Sequence, residues 1–212
     1  CVVFSPVVIL GRTIQSPMIY PEGVTEKGAY GYEGRKPINT FDVDLATPAY
    51  YEWPINRLVG SIYKSGELPL WNPYQGAGTP LLAQYSSRVL FPFQIILNLM
   101  PVETWDFMFL LRLWIAGFFT FVFLKRLGLC YTPSLLGGLL YMFSGTFTWF
   151  IHLEQFVNVA MLVPVLLWTV EGLWHWKWQL GISAISASVG LILLAGQPEV
   201  AAYVLLLGGM YA

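Results

Sequence analysis

"TWDFMFLLRLWIAGFFTFVFLKR", Thr104 to Arg126, is the stretch on which the fold turns. Up to Leu124 its only charges are Asp106 and Arg112. A helix needs ~20 apolar residues to cross a bilayer, so Thr104–Leu124 reads as a span. Arg112 is the anomaly within it. At ~1.5 Å rise per residue it lies ~12 Å inside the run. A charge at that depth costs roughly 2.5–3.5 kcal/mol and marks function by default. Three uses are open to it: binding a lipid phosphate, pairing with Asp106, or snorkelling to the outer surface along its own stem.

The surrounding chain repeats the pattern. Of 212 residues 56% are hydrophobic and 11% charged, against about 25% charged in a soluble domain. The expected fold is an all-α polytopic membrane protein. Further spans are expected at 133–151, 156–173, 180–195 and 200–212. "VLFPFQIILNLMP", residues 89–101, is too short to cross and reads as a re-entrant or interfacial helix. Residues 1–10 read as the end of an earlier span, residues 104–212 as a truncated helix bundle, and the whole as part of a longer protein. A net charge of −1 gives no footprint for nucleic acid, which calls for a basic patch. Two distant cysteines suggest neither a disulfide framework nor a metal site. No P-loop, dinucleotide fingerprint, HExxH or GxSxG is present.

Orientation follows from the short loops, because Lys and Arg collect on the cytoplasmic side. Lys125 and Arg126 follow one span, and His175 and Lys177 come two crossings later, on the same side. The opposite turns, "IHLEQ" (151–155) and "GQPE" (196–199), carry Glu154 and Glu199 and no Lys or Arg. The polar, turn-rich stretch 11–88 is then a large first extracytoplasmic loop. Trp168, Trp174, Trp176 and Trp178 suit the cytoplasmic interface.

That loop holds one clear helix. In "PINRLVGSIYKSG" Pro54 suits a first helical position and Gly66 a stop. Ile55, Leu58, Val59, Ile62 and Tyr63 form one stripe, with Asn56, Arg57, Ser61 and Lys64 opposite. Such a helix lies in the outer interface or packs over the spans. Before it, "FDVDLATP" sets Asp42 and Asp44 two apart, so an extended segment points both carboxylates one way. The pair can do base chemistry or hold a cation; the alternative is a solvated loop with an Asx turn. After it, "GELPLWNPYQGAGTP" (66–80) is stiff and polar. Trp71, Asn72, Tyr74 and Gln75 offer stacking faces and neutral hydrogen-bonding groups, as a sugar ring uses; the alternative is a plug over the helix ends. His152, Glu154 and Gln155 on one tip, and Gln197 and Glu199 on the other, share that face. Several convergent polar groups are what a site needs.

"GELPLWNPYQGAGTPLLAQYSSRVLFP", preceded by an acidic loop and followed by "YMFSGTFTWFIHLEQFVNVAMLVPVLLW" and "LAGQPE", resembles the N-terminal part of the YfhO-type bacterial membrane proteins, within the GT-C class of polytopic glycosyltransferases. The resemblance implies GT-C-like transmembrane helices in the bacterial inner membrane, with a site on the extracytoplasmic face. It implies transfer of a sugar from a polyprenyl-phosphate carrier to a saccharide acceptor, with the catalytic carboxylate at Asp42 or Asp44. The departing phosphate needs positive charge, for which Arg88, Arg112 or a divalent cation are candidates. A lipid-linked donor agrees with the missing nucleotide motif. Two other readings stay open: a transporter or flippase of a lipid-linked saccharide, and a non-catalytic subunit of a membrane assembly.

Overall fold

A computed structural model describes residues 47–151 and 153–212, with Phe4, Ser5 and Ile9 besides. Asp42, Asp44 and His152 lie outside the described residues, as does most of the stretch read as an earlier span. The described chain is mostly helical, with one two-stranded antiparallel ribbon.

A π-helical turn, Pro48–Glu52, leads into α1, Trp53–Lys64. Pro54 stands in the first turn, where its missing N–H is no loss, and Gly66, at φ 82°, ends the segment. Ile55 and Val59 are buried with Leu81 and Val89, so this face closes a small core of its own. The ribbon pairs β1 (Trp71–Asn72) with β2 (Thr79–Pro80). Next comes α2, Pro92–Leu99, and its burial is inverted. Gln94, Leu97 and Asn98 point inward while Ile96 and Leu99 are exposed. Helices α1 and α2 touch so closely that a Cβ on Gly60 would collide with the carbonyl oxygen of Asn98.

The main body is α3 (Trp105–Arg126), α4 (Tyr131–Met142), α5 (Gly145–Trp149), α6 (Glu154–Gly172), α7 (Trp178–Leu194) and α8 (Pro198–Tyr211). Two of these, α3 and α6, are long and apolar enough to cross a membrane, with mean hydropathy 2.1 and 1.4. They run parallel through the centre, packing Leu113 and Ala116 against Val157, Ala160 and their neighbours. The expected span 133–151 is two helices, not one. Phe143 leaves helical geometry and Ser144 is extended, at ψ 162°. Ser favours a cap over a helix interior and the following Gly adds backbone freedom, so the chain restarts there. Alone, α4 is only ~18 Å long. It lies flush on α3: a Cβ on Gly138 would sit 2.6 Å from the carbonyl oxygen of Gly117.

The two ends of the body differ in chemistry. At one, the Arg126 guanidinium stacks 4.7 Å from the ring of Trp176 and 5.4 Å from that of Trp168. The C-terminal ends of α3 and α6 therefore lie together, beside the turn carrying His175 and Lys177. At the other end the α6 N-terminus meets the segment 47–91.

The glycine contacts give a paired test. Gly60→Ala should lower stability by about 1–3 kcal/mol, because backbone oxygen cannot move aside as a side chain can. Gly190→Ala in α7 meets no atom within 4 Å, and should raise stability by up to about 1 kcal/mol through helix propensity. Thermal unfolding of the two variants beside the parent measures both signs.

Candidate functional site

Charge is gathered inside the protein. Arg112 is 0% exposed, Arg88 2%, Glu52 3% and Glu154 3%. Glu52 ends the turn before α1, Arg88 follows a 3-10 turn (Tyr85–Ser87), Arg112 sits on α3 and Glu154 opens α6. Four segments distant in sequence thus meet in one buried place.

Arg88 is the hub. Its Nη2 pairs with the Glu52 carboxylate, and its Nη1 donates to Gln155 Oε1 at 3.0 Å. The same guanidinium lies 3.6 Å from Glu154 Oε2, which lies 3.5 Å from Arg112 Nη2. One carboxylate thus serves two cations. Amides complete the web. Asn56 Nδ2 donates to Glu154 Oε1 at 3.2 Å and Gln94 Nε2 to Asn56 Oδ1 at 2.9 Å. Gln94 Nε2 also reaches Asn98 Oδ1 at 3.2 Å, and Arg112 Nη2 reaches Gln94 Oε1 at 3.4 Å. The Arg112 guanidinium lies 4.8 Å from the Phe109 ring.

Two cations against two carboxylates leave no net charge, the condition under which buried ions are tolerable. Burial works against the Arg88 charge, but Glu52 and then Glu154 outweigh it and raise its pKa above the ordinary value. Burial lifts the Glu52 carboxyl above its usual range, and Arg88 draws it back only in part.

Backbone geometry locks Arg88 in place. It is the one non-glycine residue with positive φ among those described, at 51°. Such a conformation persists where the surroundings over-determine it. Ser87 Oγ donates to the Leu81 and Gln84 carbonyls at 2.5 and 2.6 Å, holding the turn before it. The Arg88 stem lies across Gly196 in the turn between α7 and α8, where a Cβ would collide with Arg88 Cγ. Gly196 has φ 105°, a conformation in which glycine carries no steric penalty. Both hairpin tips, through Glu154 and Gln155 on one and Gly196 on the other, therefore meet the loop at Arg88.

Of the residues singled out in the sequence, the structure brings together Arg88, Arg112, Glu154 and Gln155. Trp71, Asn72, Gln75, Gln197 and Glu199 enter none of the network's side-chain bonds. Trp71 and Gln75 are exposed on the ribbon and its turn, while Asn72 is buried and accepts the Tyr74 N–H at 2.9 Å. Gln197 precedes the first residue of α8, half-buried, and Glu199 is exposed.

Arg112 departs from two of its expected uses. It does not snorkel, because Glu154 and Gln94 compensate it where it stands, and no part of it reaches the surface. A lipid phosphate has no approach to it. The Arg88 side chain is likewise unexposed, although the residue borders the cleft described below. Asn56 also departs from expectation: placed on the solvent face of α1, it is 1% exposed and bonded to Glu154. Glu52, Gln94 and Asn98 were missed altogether. Gln94 and Asn98 stand four apart inside an otherwise apolar helix, which was the available signal. Among the described residues no three His, Cys, Asp or Glu side chains gather as a metal site. A cleft of about 260 Å³ opens beside the network, between residues 82–90 and Leu193–Leu194.

Removing Glu154 takes away the carboxylate that lies 3.5 Å from Arg112, so Glu154→Ala should cost about 3–5 kcal/mol. Arg112→Met together with Glu154→Gln should cost less than the sum of the two singles, by about 1–3 kcal/mol of coupling. Denaturant unfolding of the four proteins closes the cycle; strict additivity would show that the pair does not interact.

No family model, curated protein or solved structure matches the chain.

Proposed function

We propose that the chain forms part of a multi-pass membrane glycosyltransferase of the GT-C class, of the YfhO type that its sequence resembles. It moves a sugar from a polyprenyl-phosphate carrier to a saccharide acceptor at the extracytoplasmic face of the bacterial inner membrane. The observation that carries this reading is the docking of the first loop on both hairpin tips through Arg88. Asp42 and Asp44 shortly precede Glu52 in the chain, so the buried pair anchors the segment that follows them to the ends of α6, α7 and α8. The distribution of polarity supports the membrane part: Glu52, Arg88, Asp106, Arg112 and Glu154 are buried, and large apolar side chains sit outside along α3, α7 and α8. A water-soluble protein sorts its residues the other way.

In this reading Asp42 or Asp44 takes the proton of the acceptor hydroxyl as the carrier phosphate leaves. Arg88 and Arg112 hold the frame and do not touch the phosphate, which leaves a divalent cation as the candidate counter-charge. Trp71 and Gln75, exposed on the ribbon, are available to a sugar face.

The test is transfer from a polyprenyl-phosphate-linked hexose in membranes carrying the full protein. Replacing both Asp42 and Asp44 by Asn should lower transfer by about 100-fold or more, the scale of lost general base catalysis. Transfer undiminished in that variant would refute the assignment. Release of sugar without a new glycosidic bond would favour a transporter instead.

A further inference from the structure

The stretch from Leu68 to Pro101 is unlike an aqueous loop. Its one charged residue is Arg88, which is buried and ion-paired. Its exposed side chains include Leu70, Leu82, Tyr85, Leu90, Ile96 and Leu99. These are not scattered. The Leu81 and Leu82 N–H groups both reach the Leu70 carbonyl, at 2.9 and 3.5 Å, which sets Leu70 beside Leu82. Leu82, Tyr85 and Leu90 in turn line the cleft whose far wall is Leu193 and Leu194 of α7. Both of those leucines are themselves exposed. The apolar face of the loop is thus continuous with the apolar flank of a helix in the main body. The burial of α2 repeats the message: Gln94 and Asn98 face in, while Ile96 and Leu99 face out.

We propose that this face, Leu70, Leu82, Tyr85 and Leu90, is sunk in the outer leaflet of a bilayer, and that a lipid acyl chain fills the cleft it forms with Leu193 and Leu194. The inference rests on the membrane reading given above and changes it in one respect. Part of the first loop is immersed in lipid instead of standing in water. Contiguous apolar patches of this kind mark membrane or protein contacts. Continuity with α7 selects lipid, because a soluble partner would have to cover the loop and the helix flank together. From Leu68 to Pro101 no cation is exposed, so attraction to anionic headgroups plays no part.

Spin labels read the depth directly. In the full chain, with Cys1 and Cys130 replaced by Ser, single cysteines at 82 and 90 are labelled with a nitroxide in phosphatidylcholine vesicles. Phe118, exposed midway along α3, marks the bilayer interior, and Lys64, exposed at the end of α1, marks water. At 82 and 90 oxygen should relax the label more strongly than a water-soluble nickel chelate, as at 118, with the order reversed at 64. Labels at 82 and 90 that favour nickel while 118 favours oxygen would overturn this inference and leave the membrane reading standing. A label at 118 that favours nickel would overturn both. Adding phosphatidylglycerol should leave the profile unchanged; immersion seen only with that lipid would overturn the claim of a neutral contact. Variants with the thermal midpoint of the parent are the ones compared.

Discussion

A single carboxylate, Glu154, stands between two buried guanidinium groups, and the arrangement of everything near it follows from that constraint. Ions withdrawn from water must find their compensation locally. Arg112 cannot leave α3 and Arg88 cannot leave its strained turn, so the α6 N-terminus has to arrive at one level and in one orientation. Glu52 then balances the second cation, which fixes the turn before α1. The amides of Asn56, Gln94 and Asn98 fill gaps between the ions, and each belongs to a helix whose position is thereby set. Apolar packing alone would let α1 and α2 slide on the body; directional, charged contacts do not.

How much of this could be read beforehand depended on the range of the interaction. Local signals spoke clearly. Pro54 and Gly66 bracketed α1 within a residue or two, and the apolar run from Thr104 gave α3 to within two residues at its end. The "FSG" at 143–145 was local too, yet hydropathy outvoted it, because a run of leucines and aromatics hides a serine that stands just before a helix start. The network was the reverse case. Its members lie up to about a hundred residues apart, and no spacing rule links them. Arg112 was visibly out of place, but its partner could not be named, since Asp106 on the same helix was the nearer carboxylate in sequence. Asn56 was misplaced for a related reason. A helical wheel sorts residues by affinity for water, whereas Asn56 faces a polar interior.

That buried polar network, set beside an apolar core, is the feature linking the fold to the function proposed above. Where the surroundings are hydrocarbon, hydration cannot organise the surface, and polar contacts become the means of specifying one packing over another. On the membrane reading proposed above, the close Gly117–Gly138 approach of α3 and α4 works similarly, through backbone proximity. The reading as a glycosyltransferase needs a loop held rigidly above helix ends, and a neutral ionic frame meets that need.

The order of the network along the chain has a consequence for biogenesis. Asn56 and Glu154 are separated by 98 positions, and Arg88 and Gln155 by 67. During synthesis the loop and α3 emerge long before the α6 carboxylate that completes their compensation exists. Until then the guanidinium of Arg112 has no Glu154 beside it, which favours keeping that part of α3 hydrated through two further helices. Final closure is then a late event, set by the arrival of one N-terminus rather than by local helix formation.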